Sequence, residues 1–272
     1  MKFDMNEAWR VASAMVSANV QVLSVVAGVF FFLPSLAMAF FVTPPELAES
    51  MTNEQAMAVM AGYYEQALPF IIVAGVAQAI GVLALLALLT DRRRPTVGEA
   101  LKAGVQTVLP YVAAQLLVGL GVGLALVVLA GIVAATGVIA LALILAPLGM
   151  AALFYVFTKT SLVAPVLVIE GVRNPVTAIS RSWTLTKGNS LRLFWFYALV
   201  FIVFLVLLLA VSLVIGLLAS VILGEGPVGI VIEGAASGAL GALMVVFFAS
   251  ILAAVHRQLA GPSAETISAT FD

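Results

Sequence analysis

Apolar residues run almost unbroken through six stretches of this chain, at about 22–42, 67–90, 107–130, 133–157, 194–222 and 234–255. As helices rising about 1.5 Å per residue, each is long enough to cross a hydrocarbon core roughly 30 Å thick. None shows the alternating ten-residue pattern of a membrane-spanning strand. The pattern therefore predicts an all-α, polytopic membrane protein with six transmembrane helices. It forms a single domain over 1–257, followed by a short cytoplasmic tail over 258–272.

Polar residues at helical spacing mark what lies between the spans. Before the first, Asn6, Arg10, Ser13, Ser17 and Gln21 recur on one face while Trp9, Val16 and Val20 take others. That periodicity predicts an amphipathic helix lying in the interface. Thr96 and Glu99 have capping-box spacing just after Pro95 and predict a second such helix through Lys102 and Gln106. A third is predicted to start at Pro175, to place Val176, Ile179 and Trp183 on one face, and to end at Lys187-Gly188-Asn189. The glycine there supplies an elbow from an in-plane helix into span five. Each amphipathic stretch precedes two spans, giving units of about 1–90, 91–157 and 158–257 that have the placement of a threefold, parallel two-span repeat, with chance likeness among Ala-rich segments as the alternative. On the other side, Thr43-Pro44-Pro45-Glu46 and Thr52-Asn53-Glu54-Gln55 have helix-start chemistry, and Met57, Met60 and Tyr64 share a face, which predicts a short helical cap. Pro34 and Pro147 fall inside spans one and four, where a missing N–H is expected to kink the helix.

Composition agrees with lipid as the outer solvent: 64% of the 272 residues are hydrophobic and 9% charged, and the mean hydropathy is +1.22. Charge placement gives orientation. All 12 Lys and Arg residues fall before span one, between two and three, between four and five, or after six. The opposite loops carry Glu46, Glu49, Glu54, Glu65, Glu225 and Glu233 and no basic residue. Lys and Arg are retained on the cytoplasmic side during insertion, so both termini are expected there. Ala37-Met38-Ala39 resembles a leader cleavage site, but Asp4 and Glu7 occupy what would be a basic region, so an uncleaved first span is expected.

Candidate chemistry is sparse. With no cysteine and one histidine, thiolate chemistry and any mechanism needing two imidazoles are excluded. The letters of Gly224-Glu225-Gly226-Pro227-Val228-Gly229 match a dinucleotide pattern, yet they follow a membrane span and place a carboxylate where phosphate would sit. No catalytic, cofactor-binding or metal-ligating set is expected, and no cofactor. Arg92, Arg93, Arg94, Arg173, Arg181, Lys187 and Arg192 are candidate contacts to anionic lipid headgroups. Gln78 and Gln115 are a candidate intramembrane polar pair, joined by a hydrogen bond across spans two and three. Gly119 and Gly123 of span three, with Gly121 between them, and Gly234 and Gly238 of span six are candidate helix-packing positions, chiefly within the chain, with a homodimer face as the alternative.

Two stretches carry a resemblance. Leu162-Val163-Ala164-Pro165-Val166-Leu167-Val168-Ile169-Glu170, followed by Pro175-Val176-Thr177-Ala178-Ile179-Ser180-Arg181-Ser182-Trp183-Thr184-Leu185-Thr186-Lys187-Gly188-Asn189, is similar to the most recognisable part of the bacterial six-span family called the glycerophosphoryl diester phosphodiesterase membrane domain. The resemblance covers about 160–200 and is topological elsewhere. Some members of that family fuse this membrane part to a soluble phosphodiesterase. Here the tail after Arg257 is about fifteen residues long, and a single histidine cannot supply that chemistry. The resemblance therefore implies a fold and an inner-membrane location rather than catalysis. The function expected is non-enzymatic: a scaffold or accessory subunit in contact with membrane lipids and with another membrane protein or a second copy of itself. A passive or lipid-handling transporter is the alternative, and no nucleic-acid partner is expected.

Overall fold

The computed structural model describes residues 2–42, 45, 47–48, 50–90, 95–223 and 227–261, and every regular element among them is helical. The first helix, α1 (Met5–Ala27), passes through a π-helical turn (Gly28–Phe32) into α2 (Leu33–Phe41). Two long helices follow, α3 (Asn53–Thr90) and α4 (Val97–Thr136), and then α5 (Ile139–Thr160). A short α6 (Val163–Ile169) and α7 (Pro175–Leu185) lead into α8 (Ser190–Leu223) and α9 (Pro227–Ala260). Six of these runs are long and apolar enough to cross a membrane, in agreement with the hydropathy pattern.

Chain direction alternates, so Asp4, Val97, Thr160, Ser190 and Ala260 gather at one end, termed here the polar end. Asn53 and the turn at Gly137 lie at the far end. Cross-links confirm the gathering: the Phe3 N–H donates to Asn189 Oδ1 at 2.9 Å and the Asp4 N–H to Gln258 Oε1 at 3.0 Å. Arg173 Nη1 donates to the Gln106 carbonyl at 3.0 Å.

Local sequence explains most helix starts. Asp4 caps α1 by accepting from the Glu7 N–H, and Thr96 and Glu99 form the expected capping box at α4. Asn174 caps α7 through the Val176 and Thr177 N–H groups, with Pro175 at the first turn. Gly188, at φ 79°, makes the expected elbow into α8.

Several boundaries differ from expectation. The N-terminal amphipathic stretch is the first arm of α1 and ends at a kink, where Asn19 has φ −127° and ψ 18°. The stretch through Lys102 and Gln106 is no separate interfacial helix: it continues without a break into α4, whose 40 residues extend about 60 Å. Likewise the cap read at Thr52 is real chemistry, with Thr52 and Gln55 bonding reciprocally, but it opens α3 itself. Met57 and Tyr64 remain exposed on that helix. The Thr43-Pro44-Pro45-Glu46 start lies largely outside the described residues. Pro34, at the start of α2, follows the π-helical turn in which the ladder widens, as expected of a residue without an N–H. Pro147, in contrast, sits within an α5 assigned as continuous helix.

The core lies toward the polar end and is built around α9. Ala249, Ile251, Ala253, Ala254 and Val255 are buried there against α1, α3, α6 and α8. Of the most apolar 18-residue window, 56% is buried in α9 but 0% in α4 and 6% in α5. The window of α8 is likewise only 6% buried, so α4, α5 and α8 all turn apolar surface outward, and the far halves of α4 and α5 form an apolar fork that is stable only in an apolar solvent or against an apolar partner. Two glycines sit at tight helix approaches: a Cβ at Gly104 would lie 2.8 Å from the Ile80 carbonyl oxygen, and one at Gly81 would lie 2.6 Å from Phe30 Cβ.

Candidate functional site

Where α5 ends, the chain must turn inside the polar end, which frees backbone groups that hydrocarbon cannot satisfy. Ser182 of α7 supplies them. Its hydroxyl donates to the Lys159 carbonyl at 2.7 Å and accepts from the Leu162 N–H at 3.2 Å, with the residue fully buried. This bridge holds α7 against the α5–α6 turn. Lys159 is itself 3% exposed. Its ammonium lies 3.5 Å from the Trp183 carbonyl and 5.6 and 5.5 Å from the Tyr155 and Trp183 ring centroids, a cation–π cradle.

The next turn carries a charge network. Glu170 follows the buried α6 and accepts from Arg181 Nε at 2.9 Å, while its other oxygen lies 3.0 Å from Nε2 of His256. Burial pushes the Glu170 carboxyl up, but hydrogen bonds from Arg181 and His256 outweigh it and hold the group below its ordinary value of 4.5. Three elements are tied by this one side chain: the α6–α7 connection, α7 and the last turns of α9. A carboxylate beside an imidazole is also the start of an acid–base dyad. Here, however, the imidazole is 4% exposed and faces an ion pair rather than a cleft. Among the described residues no group of three or more His, Asp or Glu is arranged to hold a metal.

The sequence-predicted contacts fare unequally. Arg92, Arg93 and Arg94 lie outside the described residues. Arg173 is engaged with Gln106 and Thr107 Oγ1, both at 3.0 Å, and Arg181 with Glu170, so both serve as internal ties. Lys187 and Arg192 are exposed at the polar end. Gln78 is exposed, and the structure shows no hydrogen bond between it and Gln115, whose amide instead reaches Tyr111 Oη at 3.4 Å on its own helix. That is a correction: the two glutamines are not a pair. The packing glycines are corrected too. Positions 119, 121 and 123 have no neighbour within 4 Å of a Cβ built there, so they bring no helices together among the described residues, whereas Gly238 is in ordinary contact with Phe32 and Ser35, as expected of a packing position. Gly234 is half-buried.

Sequence reading missed the Arg181–Glu170–His256 network and the buried Lys159. The available signal was position: Glu170 closes an apolar run, and His256 is an ionisable group just inside the end of another.

Two cavities lie on the membrane side of this polar end. The first, about 360 Å³, runs between α4 and α5 and is closed by Ile179 and Trp183 of α7. The second, about 280 Å³, lies between α4, α5, α6 and α9 and carries Tyr111, Gln115, Thr160 and Ser161. Thr160 lines both.

The class this defines is a polytopic all-α protein whose six long apolar helices mark it as integral to a membrane. No family model, curated protein or solved structure matches the chain.

Proposed function

We propose that this is a non-enzymatic protein of the bacterial inner membrane, with both termini cytoplasmic, acting as a scaffold or accessory subunit. The observation that carries the reading is the exposed fork: α4 and α5 leave their most apolar windows almost wholly unburied. On α4, Gly119 and Gly123 form a small-xxx-small pair with open space before them, flanked by exposed Leu116, Leu120 and Leu124. Such a face lets a second membrane helix approach closely, which is how helices associate when lipid removes the hydrophobic incentive. The resemblance of residues 160–200 to the glycerophosphoryl diester phosphodiesterase membrane domain supports the same membrane location.

The test is site-directed crosslinking in native membranes. A cysteine at Leu120 should crosslink reproducibly to one membrane protein or to a second copy of the chain. The same cysteine in a Gly119→Ile, Gly123→Ile background should not. A chain that yields no protein adduct at Leu120 and is extracted as a monomer would sink the scaffold reading. Lipid handling is a second reading, favoured by the cavities at the fork. The polar cleft reaches Gln115 but is not lined by Gln78.

A further inference from the structure

The fork between α4 and α5 has a polarity gradient that a bare packing defect would lack. At its base, four to eight residues beyond the Thr107 anchored by Arg173, Tyr111 and Gln115 project into the second cavity, roughly 6–12 Å deeper along the helix. Ser161 and Thr160 face them from the other wall. Above that base, the first cavity continues between 117–129 of α4 and 149–156 of α5, a slot roughly 18 Å long. Its walls are Leu, Val, Ala and Gly. Among the described residues, no charged side chain lines either cavity.

Hydrogen-bonding capacity at the base is underused. The Gln115 amide makes one long contact among the described residues, 3.4 Å to Tyr111 Oη, which leaves the pair with hydrogen-bonding capacity to spare. Ser161 is 3.3 Å from Tyr197 Oη and donates to the Thr158 carbonyl at 2.8 Å, which leaves it able to accept. Polar groups at hydrocarbon depth normally find partners, because each unmade hydrogen bond there is costly. The missing complement is a small neutral head with both an acceptor and a donor, attached to one long tail.

We propose that the fork is a binding site for an uncharged single-chain amphiphile of acylglycerol chemistry. Its ester carbonyl accepts from Tyr111 and Gln115, its free hydroxyl donates to the Gln115 carbonyl or to Ser161, and its acyl chain fills the slot between α4 and α5. Among the described residues the nearest cation, the Lys159 ammonium, is already engaged by the Trp183 carbonyl and the Tyr155 and Trp183 rings, so an uncharged head suits the lining better than a phosphate, whose charge would be desolvated without compensation. Trp183 closes the interfacial end of the slot, so loading is lateral, from the bilayer. This site does not depend on the scaffold role. The Gly119 and Gly123 face and the Gly121 wall of the slot lie on opposite sides of α4, two residues being about 200° of helix turn.

The experiment uses the full chain in nanodiscs and a monoacylglycerol carrying a diazirine in its acyl chain. Adducts are mapped by peptide mass spectrometry. The expected result is labelling concentrated in 117–129 and 149–156, displaced by unlabelled monoacylglycerol but not by phosphatidylglycerol of the same chain length. Tyr111→Phe should weaken competition roughly five-fold, the effect of one neutral hydrogen bond. Gly121→Leu should abolish focused labelling without unfolding, because a Cβ there meets nothing within 4 Å. Labelling spread evenly over every lipid-facing helix, equal competition by phosphatidylglycerol, or indifference to Gly121→Leu in a variant that melts like wild type would each overturn the proposal. Loss of the Leu120 crosslink with focused labelling intact would instead count only against the scaffold.

Discussion

A single added carbon at position 104 would sit 2.8 Å from a backbone oxygen that cannot move without dragging α3. Gly104→Ala should therefore destabilise the α3–α4 pair by about 1–3 kcal/mol, the range for overpacking a tight contact. Gly119→Ala, with nothing within 4 Å, should leave thermal stability in detergent within about 0.5 kcal/mol. Equal effects at the two positions would refute this account of where the chain is tightly packed. Composition could not have told these glycines apart, since both sit in apolar helix; only the neighbour across the interface does. Glu170 gives a second residue-scale expectation. Its folded pKa lies below its ordinary 4.5. The stabilisation this implies is fully present above pH 4.5 and is lost as pH falls through the folded value. The melting-temperature gap between wild type and Glu170→Gln should thus be widest near neutrality and narrow on acidification below 4.5. A gap that stays constant down to the acid limit of folding would mean the carboxylate charge contributes nothing.

Elements whose ends are written locally were legible, and those whose ends are set by neighbours were not. The start of α7 at Pro175 and the elbow at Gly188 follow from residues with local backbone chemistry, and both appear in the structure, although the helix itself stops earlier, at Leu185. The capping box at Thr96 was equally readable, but the stop expected after Gln106 does not exist, because α4 continues straight into its span. Hydropathy marks where lipid begins and gives no reason for a helix to break there. The buried network of Glu170, Arg181 and His256 was invisible for a related reason: its members are separated by up to 86 residues and meet only through tertiary packing. The elbow itself is testable. Gly188 has φ 79°, so Gly188→Ala should cost about 1 kcal/mol and raise protease sensitivity between α7 and α8. An alanine variant as stable as wild type would show that the turn does not need a left-handed residue.

At the scale of the whole molecule, the folded chain brings the segments bearing its described basic residues to one end and leaves Glu54 and Glu65 toward the other. Helix packing alone cannot say which end faces the cytosol, because a bundle turned over in the bilayer buries the same surfaces. What distinguishes the two orientations is the cost of moving Lys and Arg across during insertion, and this favours the basic end inside. The absence of native cysteine makes the question directly answerable, since any single introduced cysteine is the only thiol. Cysteines at Glu54 and at Lys187, both exposed, would be challenged in intact cells with a membrane-impermeant maleimide. Position 54 should react at once, and position 187 only after the inner membrane is opened. The reverse pattern would place the charge network and both termini outside and would overturn the proposed orientation. Reaction at both positions in intact cells would show instead that two orientations coexist. The positive-inside bias would then be too weak here to set a single topology.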